Sequence, residues 1–200
     1  MKQSIGNQKP FMQQALGEQW DQLPQVLKAH YSDDESGENI AKGALTINYP
    51  KFMQIPLNVM RWVGALVNQK GDHLPTTVKR VLKDGEQYWH RSIHCPDGAT
   101  IAFKSRFTYD ANNKTFIEYT NRFFGLKMKV FVEGNTLRYE SCGYVIKLGA
   151  IKIPLPEWLL LGHASIVECA ISDSKFKLDF RLNHPVLGEI FSYTGDFKTL

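Results

Sequence analysis

Between Thr76 and Ile146 the chain is a succession of alternating runs separated by tight-turn signals, and few folds other than a meander of β-hairpins accept it. Lys83-Asp84-Gly85-Glu86 sets Asp-Gly between such runs, the strongest short-range hairpin signal. Cys95-Pro96-Asp97-Gly98 is a second turn, with Pro presetting φ and Gly free to take φ > 0. Asp110-Ala111-Asn112-Asn113, Gly125 and Glu133-Gly134-Asn135 mark three more. The runs between them hold about 8–11 residues and are rich in Phe, Tyr, Val, Ile and Thr, as strands should be.

The flanks add helices before the meander and more strands after it. Phe11, Met12, Ala15 and Leu16 fall at helical spacing, as do Leu23, Val26, Leu27 and His30, with Pro24 suited to a first turn. Their narrow stripes predict helices lying on the surface of the sheet. Ile40–Tyr49 reads as a strand, with Gly43 at a bulge or a close approach. From Pro56, the residues Val59, Trp62, Val63, Leu66 and Val67 give one apolar helix face that should cover an end of the sheet. Pro154 and Pro156 make 147–156 an extended edge. Two last hairpins turn at Ser172-Asp173-Ser174 and His184-Pro185-Val186-Leu187-Gly188.

Composition narrows the classes of function. A net charge of +4, scattered along the strands, lacks the basic stripe of a nucleic-acid binder. No apolar run approaches the roughly 20 residues of a bilayer-spanning helix, and residues 1–10 lack the apolar core of a signal peptide. Three cysteines without CxxC spacing fit reduced thiols in a cytoplasmic protein. One domain over residues 1–200 is expected, with 1–9 loose.

Turn lengths fix register, and register fixes faces. Around Pro96-Asp97-Gly98, Trp89, Arg91 and Ile93 fall opposite Ser105, Phe103 and Ile101. The turn at 110–113 admits two registers one residue apart. The one that keeps the apolar face continuous places Phe107, Ile117, Tyr119, Met128, Val130, Val132, Leu137 and Tyr139 inside. Asn121, Ser141, Ser165 and Tyr193 join that side as polar groups. His90, His94, Lys104, Arg106, Glu118, Lys127, Lys129, Arg138 and Glu140 then face solvent.

Arg91 is the anomaly, a permanent charge between Trp89 and Ile93 on the apolar side. Through the Asp84-Gly85 turn Arg80 faces Trp89, so a second guanidinium points inward. Two unpaired guanidiniums in a dry core would cost on the order of several kcal/mol each. A buried carboxylate, water or an anionic ligand must offset that, with Glu189 as a candidate partner. Arg80, Trp89, Arg91, Tyr119, Tyr139, Glu189 and Tyr193 are therefore the candidate ligand-binding residues. The plainer reading makes both arginines structural.

No other chemistry stands out. His90 and His94 are too far apart along a strand for an easy shared metal, and no third ligand is near. Nucleophile elbows, P-loops and dinucleotide fingerprints are absent. No catalytic residue, metal or cofactor is assigned.

Leu23-Pro24, His30, Gly43, Trp89-His90-Arg91, Leu148-Gly149 before Ile153-Pro154-Leu155-Pro156, His184-Pro185, Gly188 and Tyr193-Thr194-Gly195 occur in this order. The ordered set resembles the bacterial domain of unknown function 4166, from about residue 20 to the C-terminus. The resemblance implies no catalytic residues, since that family has no assigned activity. Its members are sometimes fused to dehydrogenase-like nucleotide-binding domains, which implies an accessory or ligand-binding module.

The expected fold is α+β and mainly β: a long, bent antiparallel sheet closing toward a barrel, with the N-terminal helices against it. The expected function is non-catalytic binding of an amphipathic, acidic small molecule such as a fatty acid or acyl compound. Two alternatives stand beside it. One is an interaction domain for a dehydrogenase-like partner, docking through Pro154, Pro156, Trp158 and Leu159–Leu161. The other is an enzyme using Arg91 with a tyrosine or Glu189.

Overall fold

Each tight turn named above reverses the chain, and the strands it joins close on themselves. The computed structural model describes residues 10–32, 37–62 and 64–200. The expected loose segment 1–9, part of the polar stretch after Tyr31, and Val63 lie outside the described residues. The strands are β1 (Glu38–Asn48), β2 (Gly71–Lys83), β3 (Glu86–His94), β4 (Thr100–Asp110), β5 (Thr115–Tyr119) and β6 (Phe124–Glu133). They continue with β7 (Thr136–Leu148), β8 (Ile151–Leu155), β9 (His163–Ser172), β10 (Lys175–His184) and β11 (Gly188–Thr199). All pairings are antiparallel. Strands β1 to β7 follow one another, β7 also pairs with β9, and β9, β10 and β11 lead back to β1. Ten strands thus form a closed barrel and remove their own edges. The expected mainly β, barrel-like class is correct. Strand β8 lies outside the ring on the second half of β7, and Pro154 sits in this edge strand as its missing N–H requires.

The Asp84-Gly85 turn has φ of 54° and 75°, the paired positive values of a two-residue hairpin loop, and sets Arg80 opposite Trp89. Ring closure at β1–β11 brings the backbones unusually close. A β-carbon on Gly43 would stand 2.1 Å from the Asp196 carbonyl oxygen, and one on Gly195 would stand 2.1 Å from that of Ala44. Both positions belong to the sequence pattern quoted above, and close approach is the physical reason for glycine there.

Helices α1 (Phe11–Leu16) and α2 (Gln25–Tyr31) do not lie on the sheet surface. They plug the barrel end that holds the β2–β3 and β6–β7 turns, with Val26, Leu27 and Tyr31 buried inside. The aliphatic stripe of α2 is narrow because its buried face is completed by His30 and Tyr31.

The opposite end is covered by residues 49–70, including α3 (Gln54–Trp62). Here the expected helix face is overturned. Met53 and Leu57 point inward, Met60 is partly buried against the core, and Val59 and Trp62 are exposed. The helix stops at Trp62, and Gly64 at φ 75° redirects the chain, so Leu66 and Val67 reach the interior from an extended arm. α3 is apolar on two faces, and the sequence pattern caught the wrong one.

Candidate functional site

Plug and lid leave a slot between them. The cavity is small and narrow, with a volume of about 70 Å³. Leu45, Ile47, Val78, Phe107, Phe176 and Phe191 form apolar walls, and His30, Tyr31, Arg91, Tyr139, Glu168 and Tyr193 interrupt them.

Trp89 stands between the two guanidiniums, 5.4 Å from Arg80 and 4.9 Å from Arg91. Arg91 also lies 5.3 Å from the Phe103 ring, donates to Ser105 Oγ at 2.8 Å, and meets Glu118 Oε1 at 3.3 Å. A guanidinium has five donors, so Arg91 keeps others for the cavity it lines. Arg80 is fully buried behind it, 5.1 Å from the Tyr31 ring. A relay of hydroxyls completes the cluster: Tyr139 donates to Tyr31 at 2.8 Å, and Tyr31 to Glu168 Oε2 at 2.8 Å.

Burial dominates the electrostatics. It pushes the Glu168 carboxyl up to about 7, against the pull of the Tyr31 hydroxyl, Arg80 and Arg91. Burial also raises Tyr31, Tyr139 and Tyr193, so all three stay protonated. His30 is held well below its ordinary value by burial and then by the two arginines. Its Nδ1 has no hydrogen-bond partner among the described residues, although the ring lines the cavity. Two guanidiniums therefore share the interior with two carboxylates, and burial pushes one of these, Glu168, toward its neutral form.

The expected residues divide. Arg80, Trp89, Arg91, Tyr139 and Tyr193 come together on the inner face, Arg80 behind the cavity wall. Tyr119 does not: its ring lies on the outer side under Arg106 at 5.1 Å, packed with Ile117 and Val145. The β4–β5 loop has four residues, Asp110 pairs with Thr115, and Lys114 takes φ 49°, which flips β5 relative to the expected register. Ile117 goes out with Tyr119, and Glu118 comes in. Glu189 is also outside, bonded to Arg181 at 2.9 Å and to Ser192, because a bulge opposite Leu182–Asn183 turns it away. An enzyme built on Arg91 and Glu189 therefore has no geometry. Asn121 serves instead as a turn cap, accepting from the Phe123 and Phe124 N–H groups.

Glu118, Glu168, Tyr31 and His30 were not among the expected site residues. Glu168 is inside because β9 bulges near Ile171: Lys175 pairs with Ser172, yet Phe176 pairs with Ala170. The bulge also turns Ser165 away, leaving Ala164, Ile166 and Glu168 on the inner face.

A second polar cluster sits where β8 leaves the ring. His163 contacts Glu140 at 2.7 Å through Nε2, and Glu157 at 3.0 Å and Ser141 at 3.2 Å through Nδ1. Ser141 Oγ donates to Glu157 and accepts the Ala164 N–H, so it is engaged as a brace and not presented as a nucleophile. Glu140 lies opposite Lys129 in the register, and its carboxylate goes to His163.

These observations define a closed antiparallel barrel around a narrow, mixed apolar and charged cavity. The chain belongs to the family described as domain of unknown function 4166, which matches residues 23–197. No curated protein matches it. Among solved structures it is similar to a secretary abundant heat soluble protein from Ramazzottius varieornatus, with 13% identity over 80% of this chain and 91% of that one, TM-score 0.33. It is similar to the REP1-NXSQ fatty acid transporter, with 12% identity over 82% and 95%, TM-score 0.35. It is also similar to a mutant of the fluorescent protein UnaG, with 15% identity over 80% and 92%, TM-score 0.31. The barrel assignment rests on the strand pairing and not on these likenesses. Among the described residues, no helix is long and apolar enough to cross a membrane.

Proposed function

We propose that this barrel is a binding module for a slender amphipathic molecule with an acidic head group, a fatty acid or acyl compound, and that it performs no chemistry on it. The observation that carries the reading is Arg91. Its guanidinium lines an apolar slot, is held between Trp89 and Phe103, and has donors beyond those given to Ser105 and Glu118. Planar donors fixed in this way suit a carboxylate. The net positive charge left when Glu168 is protonated favours an anion. Glu118 already supplies Arg91 with counter-charge, so an incoming acid competes with a resident carboxylate.

The test is displacement of a fluorescent apolar probe by dodecanoate, hexadecanoate and the alcohols of equal length. The acids should compete better than the alcohols, and Arg91→Leu should erase that preference while apolar binding persists. Equal competition by acid and alcohol would remove the acidic head group. Failure of every chain to compete would remove the ligand-binding reading itself.

A further inference from the structure

Exposed large apolar side chains are distributed unevenly over this barrel. Of the fourteen among the described residues, nine lie on the lid or the turns around it, and three more, Leu148, Ile151 and Ile153, on the β7–β8 hairpin along the barrel flank. Ile55, Val59 and Trp62 form the outer side of α3, Phe123 tips the β5–β6 turn, and Trp158 and Val186 tip the segments beside it. The segments adjoin one another. Gly64 lies against the Thr120 carbonyl, Ala65 and Leu66 share a small pocket with Leu161, and His184 bonds the Trp158 carbonyl at 3.0 Å. Scattered surface apolar residues need no explanation, but a contiguous ring marks an interaction site.

On the lid and the turns around it, Lys51, Arg61, Lys70 and Arg122 stand against Asp72, Asp97, Glu157 and Glu189, so the basic excess of this end lies in the flank beside Phe123. At the plugged end, Asp84, Glu86, Asp110, Glu133 and Asp173 outnumber Lys83, Lys114 and Lys175. Beside Phe123 an open groove of about 620 Å³ runs along the barrel flank, lined by Lys104, Arg106, Arg122, Lys147 and His90. Arg106 is paired with Glu86, while Lys104, Arg122 and Lys147 form no ion pair among the described residues.

We propose that the lid end docks peripherally on an anionic phospholipid surface, with Ile55, Val59, Trp62 and Phe123 in the interfacial layer and the basic groove against the phosphates. A convex ring of loop tips, with exposed tryptophans at its edge and cations between them, matches a lipid–water interface. Cations near such a surface add to binding in proportion to their number and are screened by salt. The inference is independent of what the cavity holds.

The purified full chain is mixed with vesicles of phosphatidylcholine alone or with phosphatidylglycerol, and binding is read by flotation and by tryptophan emission. Trp20 and Trp89 are buried, so a blue shift reports Trp62 and Trp158. Binding to the anionic vesicles with a blue shift is expected, weakened by salt. Val59→Asp with Trp62→Ser should abolish it. Lys104→Glu with Arg122→Glu should weaken it on the order of tenfold or more. These side chains are exposed or line a surface groove, and circular dichroism confirms each variant's fold. Flotation with neutral and anionic vesicles alike, or with neither, overturns the proposal. So does self-association that Val59→Asp abolishes in the absence of lipid, since the ring would then be a contact between copies of the chain.

Discussion

Arg91 and Glu118 meet inside the barrel at 3.3 Å, from strands separated in the ring by β4, which carries Ser105 between them. The carboxylate stabilises the empty protein by partnering a cation that would otherwise stand in an apolar slot without counter-charge, and it competes with an acidic ligand for the same guanidinium. Stability and affinity are therefore opposed at this pair.

Glu118→Gln should raise dodecanoate affinity several-fold and lower the melting temperature of the empty protein. Probe displacement and thermal unfolding read the two effects. Weaker binding would show that Glu118 positions Arg91 for the ligand instead of competing with it.

Glu168 ionises less readily in the fold than in the unfolded chain, where a glutamate titrates near 4.3. Its contribution is full below that value and is lost as pH rises through about 7, a difference on the order of 3 kcal/mol. Glu168→Gln keeps an acceptor for Tyr31 and removes the ionisation. Its melting temperature relative to the parent should climb between pH 5 and pH 8, whatever its offset. A flat difference would place the carboxylate in a wetter setting.

Burial alone would lower the His163 pKa, but the hydrogen bonds to Glu140 and Glu157 outweigh it and hold it above the ordinary value. That brace is complete below about pH 6.5 and is released as pH rises through the folded value. His163→Asn should thus be more destabilising at pH 6 than at pH 8.5. Equal losses at both would mean the ring acts by packing.

Lys114 occupies a left-handed conformation at the β4–β5 turn, where a side chain costs roughly 1–2 kcal/mol. Lys114→Gly should raise the melting temperature by about 2 °C, the gain being reduced by the extra freedom of glycine in the unfolded chain. Denaturant unfolding with an unchanged slope should give the same sign.

Gly43→Ala and Gly195→Ala each set a methyl against a facing carbonyl and should cost roughly 2 kcal/mol or more. Urea midpoints measure this. A neutral result at both positions would mean that the seam relaxes without loss.

The hairpin series and the inward arginines were legible because the Asp84-Gly85 and Pro96-Asp97-Gly98 turns each permit one register. The carboxylates were not. Glu118 enters through a four-residue loop closed by a left-handed lysine, Glu168 through a bulge near Ile171, and Glu189 leaves through a bulge on β11. Each is a shift of one residue, which reverses every side chain beyond it while leaving the hydrophobic pattern almost as good. The lid misled for another reason: Val59 and Trp62 were assigned to the core because exposed apolar residues on a helix look like buried ones.

The seam between β1 and β11 joins Ala41 to Thr199 and Gly43 to Phe197, so the ring is completed by its earliest and latest strands. Until the final strand arrives, a nascent chain is an uncurled ribbon with its greasy concave side and two strand edges bare. Folding of this kind waits on the pairing of residues as far apart as Ala41 and Thr199, which slows it. Loss of the last dozen residues should therefore yield aggregates and not a smaller barrel.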